Sequence, residues 1–369
     1  MLDQAAHTSR RRDVYDVVSS RLAALGDESL AALVQAAAPL EIQSVVAPSL
    51  LEVDGVPVFV KKIPLTDIER NLNSTANVFA LPLFYQYGVG STGFGAWREL
   101  AANIMATDWV LAGACVNFPM LYHWRVAPGA PRPPPTPEEE ARWERSAKFW
   151  NDSPEIRARH AAITHAGASL VLFLEYVPET LNVWLTGRVA EGAEAAEAAI
   201  VKVDEQLDAV ATFINARGML HFDLHFHNVL TDGEQLYVTD FGLALCSGFE
   251  LSAAEWDFFD QHQLYDRCYL TNYLVKWIEE LEEPLSPTPA VTALIDRYRP
   301  IAAVMGGFIE KLRNEKTTPY PAAELQRLLR TVEPMAGRAS LTSPRGSQRE
   351  RKGPAGEAGG TGRGYGLSD

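Results

Sequence analysis

The chain has 369 residues, 47% of them apolar, with a formal charge of −14 and a pI near 5.1. Its apolar content supports a substantial core and its length suits two lobes. Its acidity argues against nucleic acid as a partner, because neutralising phosphates needs a basic face. The start, "MLDQAAHTSRRRDVYD", carries charge with no apolar run behind it and reads as no signal peptide. The longest apolar run, "WVLAGACV" at 109–116, is too short to span a bilayer, so no membrane is expected. Three widely spaced cysteines, Cys115, Cys246 and Cys268, point to reduced thiols and a cytoplasmic protein. No Cys/His cluster has zinc spacing.

In chain order, residues 1–40 read as an N-terminal helical extension, Ala/Leu/Val-rich from 13 onward. Residues 41–127 carry β-branched runs and one helix. Within them "SLLEVDGVPVFVKKI" (49–63) places two apolar runs around Asp54-Gly55, the preferred pair for a type I′ hairpin. The second strand ends in Lys61 and Lys62. The stretch "YGVGSTGFGAWRE" (87–99) follows, with glycines at 88, 90, 93 and 95. Behind it Trp97, Leu100, Ile104 and Met105 recur at helical spacing, which puts Glu99 one turn into a helix. From 128 to 140 six of thirteen residues are proline, the mark of an exposed polyproline-like insertion, taken to extend to 154. "SLVLFLEYVPETL" (169–181) is a buried strand that breaks at Pro178. An amphipathic helix follows, with Ile200, Val203, Leu207, Val210 and Ile214 on one face and Gly218 at its end. The tail, 337–369, holds nine glycines and almost no large apolar side chains, so disorder is expected there.

The glycine stretch fits G-x-G-x-x-G-x-G and invites a dinucleotide reading. That reading needs an acid closing the next strand, and the next strand-like run, "NFPMLYHWRV", ends in none. A linker entering a helix is the better account.

The block "HFDLHFHNVLTDGEQLYVTDFGLAL" (221–245) carries more chemistry. His221-x-Asp223, with Asn228 five residues after the aspartate and Asp240-Phe241-Gly242 twelve residues after that, resembles the catalytic core of the protein-kinase-like superfamily. The strand lysine, Glu99 and the hinge-like "LEYVPETL" stand upstream in the matching order, so the resemblance covers roughly residues 41–335. It implies an α+β, bilobal protein-kinase-like fold with a small β-rich N-lobe (41–177) and a larger helical C-lobe (178–336).

The resemblance also implies roles. Asp223 would accept or orient the proton of an attacking hydroxyl. Asn228 and Asp240 would hold the Mg2+ that bridges the phosphates of ATP. Leu230 would lie under the adenine, while the Glu175 carbonyl and Val177 amide would read its edge, with Leu174 at the gatekeeper place. The phosphate-binding lysine has two candidates. Lys61 would bring Phe59 to the same face, toward adenine, as in aminoglycoside-kinase-like members; Lys62 would turn Val60 inward instead. Lys61 is the favoured choice, with Glu99 as its partner.

Three departures bear on function. The place of the usual phosphate-covering loop, "IQSVVAPSLLEV", has no glycine, and the glycine-rich stretch comes after the lysine strand rather than before it. His225 stands two after the catalytic aspartate, as in small-molecule kinases of the "HGDLHPxN" kind. No A-P-E follows "DFGLA", and only fourteen residues separate Gly242 from Asp257, taken as the start of the next helix. His225 and His227 read as ordinary loop histidines rather than metal ligands. The leading expectation is an ATP/Mg-dependent kinase of the Ser/Thr protein-kinase type with an unknown hydroxyl acceptor. The alternatives are a small-molecule phosphotransferase and a pseudokinase scaffold.

Overall fold

The structure is a computed structural model that describes residues 2–40, 47–128, 136–281 and 288–332. The tail 337–369, most of the proline-rich stretch and the start of "IQSVVAPSLLEV" therefore lie outside the described residues. The fold is mixed α+β with a small antiparallel sheet. None of the described helices is long and apolar enough to cross a membrane.

Two helices lead, α1 (Leu2–Ala23) and α2 (Asp27–Ala36), followed by the short strand β1 (Ala38–Pro39). Strands β2 (Ser49–Val53) and β3 (Val56–Leu65) form the hairpin at Asp54-Gly55. Both turn residues have positive φ, +49° and +83°, as a type I′ turn requires. A capped turn of helix, α3 (Asp67–Leu72), leads into an irregular segment that carries the glycines and enters α4 (Ala96–Leu111). Strand β4 (Leu121–Pro128) comes next. The chain is helical again from Pro137, as α5 (Pro137–Phe149) and α6 (Pro154–Thr164), before β5 (Ala168–Glu175).

The sheet order is β1-β2-β3-β5-β4, with Lys61 opposite Leu172 and Lys62 opposite Val171. Alternation along each strand gives the sheet two unlike faces. Phe59, Ile63, Leu170, Leu172 and Leu174 cluster with Ala96 and Leu100 of α4. Val58, Val60, Val171 and Phe173 belong instead to the large core that includes Val18 and Leu22 of α1 and Leu30 of α2.

The remaining elements are β6 (Glu179–Thr180), α7 (Leu181–Glu191), α8 (Ala193–Ala216), β7 (Met219–Leu220), β8 (Val229–Thr231), β9 (Leu236–Val238) and β10 (Leu245–Cys246), then α9 (Ala253–Gln261), α10 (Tyr265–Glu279), α11 (Pro289–Asn314) and α12 (Ala322–Val332). Ile200, Val203, Leu207, Val210 and Ile214 line the buried face of α8, and Gly218 follows its end at φ +77°. That residue occupies the left-handed position glycine favours after a helix.

Two sequence expectations need correction. The polyproline-like stretch does not run through 137–140, because Pro137 is the first residue of α5. Its fixed φ suits that position, and Thr136 and Glu139 close a capping box there. The helix expected to begin at Asp257 begins at Ala253, where Ser252 and Glu255 form another capping box.

Candidate active site

The site assembles where the inner face of the sheet, the first turn of α4 and the β8–β9 hairpin converge. Lys61 leaves β3 on the face toward α4. Its Nζ lies 2.6 Å from Glu99 Oε1 and 2.9 Å from Asp240 Oδ1. Burial opposes the ammonium charge, but the carboxylates of Asp240 and Glu99 outweigh it and hold its pKa above the ordinary value. The Lys61 charge in turn pulls the Asp240 carboxyl below the usual range. Lys62 points to the opposite face, into a cavity of about 330 Å³ between α2 and the sheet, beside Arg125, Val171 and Phe173.

Asp240 sits at φ +63°, a left-handed conformation that aims its carboxylate back at Lys61 while Oδ1 also accepts from Gly242 N at 3.4 Å. Asp223 precedes β8. Asn228 Nδ2 ties it down, donating to the Asp223 carbonyl at 2.9 Å and to Oδ2 at 3.0 Å. Burial, reinforced by the nearby Asp240 charge, raises the Asp223 pKa to about 7. His225 Nε2 stands 3.7 Å from Asp223 Oδ1, and burial lowers its pKa, favouring the neutral imidazole.

Behind these residues is a buried scaffold that sequence reasoning did not find. Asp266 on α10 accepts from the amides of His221 at 2.7 Å and Phe222 at 2.9 Å. Phe222 has φ +65°, so the turn that presents Asp223 is held in a conformation its own residues disfavour. His221 Nδ1 accepts from the Asp223 amide and its Nε2–H donates to the Thr239 carbonyl, joining both aspartate-bearing turns. Burial pushes the His221 pKa down to about 4, in keeping with this neutral tautomer. The one signal for Asp266 was a carboxylate inside the apolar run "LYDRCYL".

Arg11 of α1 was missed as well. It donates to Glu175 Oε1 at 2.9 Å and Oε2 at 2.7 Å and to the carbonyls of Val116 and Phe118. The helical extension thus grips the end of β5. The Glu175 amide is spent on Met120 O, whereas the Val177 amide finds no acceptor among the described residues. Phe59 shares the Lys61 face with Leu174 and Leu172, and Leu230 lies half-buried on β8.

The donor set fits a hard cation. Asp240 keeps a carboxylate oxygen free and is 47% exposed, and Asn228, having used its amide nitrogen on Asp223, has its carbonyl oxygen left. No group of three or more His, Cys, Asp or Glu forms a cage among the described residues, so such an ion would need ligands from its substrate.

No protein-family model matches the chain, and no curated protein matches it in sequence.

Proposed function

We propose that this protein is an ATP- and magnesium-dependent phosphotransferase that moves the γ-phosphoryl group to a hydroxyl acceptor. The observation that carries the reading is the joining of Lys61, Glu99 and Asp240 in one ion cluster, beside an Asp223–Asn228 pair. Those four side chains and the lysine come from β3, α4 and the segment 223–240, far apart in sequence. Each has the residue type and place that the protein-kinase-like resemblance assigns it. In the same reading the five-stranded sheet with α4 is the small lobe and the helical remainder the large one.

The roles follow from charge and position. Glu99 orients the Lys61 ammonium, which presents a fixed positive charge to a phosphate oxygen. Asp240 and Asn228 would supply oxygen ligands to magnesium, which would neutralise charge developing on the phosphates. Asp223, its pKa raised to about 7, takes the proton from the acceptor hydroxyl. Asn228 keeps its carboxylate from swinging away. Phe59 and Leu230 form apolar walls for the base, and the free Val177 amide is a donor for its edge. A binding scaffold without turnover is the alternative. It gains nothing from a general base at a matched pKa, and it predicts no magnesium-dependent loss of the γ-phosphoryl. Incubation with γ-labelled ATP, comparing wild type with Asp240→Asn, separates the two.

A further inference from the structure

The glycine-rich stretch that opened the dinucleotide question lies directly on the reacting groups. Gly88 packs against Asp223 so closely that a Cβ there would stand 2.2 Å from Asp223 Oδ1 and 2.9 Å from the Phe222 carbonyl oxygen. Gly93, at φ +77°, leaves 2.3 Å between such a Cβ and the Gly242 carbonyl oxygen. Glycine is required at 88 by close approach and at 93 by both approach and conformation.

The segment around these glycines is built rather than slack. Phe79, Leu81, Tyr85 and Phe94 form a small core with Trp150 of α5's end and Ile156 of α6. The Tyr85 hydroxyl meets Thr92 Oγ1 at 3.0 Å and His160 Nε2 at 3.1 Å, and Arg159 Nε donates to the Gly93 carbonyl. The other side of the segment is fastened to residues 243–262. Gln86 donates to the Leu243 carbonyl. The Tyr87 hydroxyl donates to His262 Nε2 at 2.7 Å, since His262 Nδ1–H is spent on Phe258 O. Ser74 Oγ donates to Glu250 at 3.0 Å, the Thr75 amide donates to the same carboxylate, and the Glu250 amide donates to Thr75 Oγ1.

This arrangement restricts the acceptor. Asp223 Oδ2 accepts from Asn228 and Gly88 packs against Oδ1, so both oxygens of the carboxylate are hemmed in. An extended peptide leaves its acceptor residue in both directions and needs about 5 Å of backbone spacing and about 10 Å of side-chain thickness. At Gly88 the glycine segment touches Asp223, which leaves no such gap between those two residues. Residues 243–246 are buried, and Ala244, Ser247 and Phe249 donate their amides internally, so they offer no ledge to an incoming chain. What remains beside Oδ1 is the side of His225, whose ring stacks on Tyr273 at 6.0 Å with exposed His227 nearby.

We infer that residues 73–95 are a fixed roof over the acceptor side of the site, and that the acceptor is a small polyol-type hydroxyl compound entering past His225 rather than a protein segment. The inference rests on the phosphotransfer reading of Asp223 and selects among its acceptors. The roof admits one small hydroxyl to Oδ1, and the His225–Tyr273 wall offers an aromatic face and His225 Nε2 to a polyhydroxylic molecule.

The test uses the full chain with magnesium and γ-labelled ATP, offered water alone, glycerol as the small alcohol, or denatured casein as the peptide. The expected result is transfer to water and glycerol with casein labelled at least about tenfold more slowly. Gly88→Ala should bind Mg–ATP as wild type does yet turn it over about a hundredfold more slowly, because a shift of ~1 Å in the reacting carboxylate costs that much. Casein labelled as fast as glycerol overturns the roof and leaves the phosphotransfer reading standing. So does a Gly88→Ala protein with wild-type nucleotide affinity and undiminished turnover. Should that variant not fold, the casein comparison on wild type decides alone. Wild type that turns over no ATP with any acceptor sinks both.

Discussion

Glu255→Ala is expected to be among the most damaging single changes outside the reacting groups. Arg98, next to Glu99 on α4, reaches across to α9, where its Nη2 lies 2.6 Å from Glu255 Oε1 with the two side chains 1% and 2% exposed. Its Nε donates to the Thr75 carbonyl, and the guanidinium sits over the rings of Phe94 and Phe249. Removing Glu255 leaves that charge buried without its counterion, a loss of ~3–5 kcal/mol. The same carboxylate accepts from Ser252 N and Oγ, and losing that half of the capping box adds at most ~1 kcal/mol. The two terms share one side chain and will not add fully, so about 4 kcal/mol is expected, a large part of the ~5–15 kcal/mol that keeps a domain folded. Urea unfolding of the full chain reads it. The double variant Arg98→Met with Glu255→Leu should recover part of the loss, since no orphan charge remains. Turnover at a temperature where Glu255→Ala is still folded should also fall, because α4 loses the anchor beside Glu99. A cost below ~1 kcal/mol, the scale of a solvent-exposed pair, would refute the claim that this ion pair holds α4 to α9.

Two other expectations concern the site. Lys61→Met should reduce γ-phosphoryl transfer by two or more orders of magnitude, roughly the scale of losing a preorganised charge, while Lys62→Met leaves it within about threefold. Steady-state rates compare them, and the reverse order would place the working face of β3 on the α2 side. Turnover should also depend on pH through Asp223. Its raised pKa means that the working, deprotonated form is lost as pH falls through about 7, so the rate should climb from acid toward neutral. A magnesium ion at Asp240 would offset the charge that helps raise that pKa, moving the midpoint lower. The same shift has a stability consequence of opposite sense. Because the folded-state pKa lies above the unfolded value of about 3.9, ionising Asp223 costs stability as pH rises between the two. A rate profile flat across about pH 5 to 8 would contradict the assignment of Asp223 as base.

What the sequence made legible was local. Asp54-Gly55 demands a tight hairpin whatever surrounds it, and strand alternation alone put Phe59 and Lys61 on one face. Asp223, Asn228 and Asp240 could be read together because a short hairpin separates them. The supporting pairs could not be read that way. Asp266 holds His221 and Phe222, Arg98 meets Glu255 and Arg11 meets Glu175, across gaps of 44 to 164 residues. No periodicity records such a meeting; only the fold brings the partners together. The glycines failed differently. Their pattern reads as a linker entering a helix, whereas two of them are small because Asp223 and Gly242 press against them. Close approach and flexibility call for the same residue, and the sequence does not distinguish them.

The proposed phosphate-handling centre is the cluster of Lys61, Glu99 and Asp240. Its most direct test is the magnesium-dependent release of γ-phosphoryl from labelled ATP by wild type and by Asp240→Asn. That substitution keeps the shape of the side chain and removes the charge that both Lys61 and a magnesium ion would use. Wild type is expected to turn over ATP only with magnesium, and the variant to lose about a hundredfold or more while unfolding at nearly the same urea concentration. Turnover retained by a folded Asp240→Asn protein, or a wild-type rate indifferent to magnesium, would contradict it.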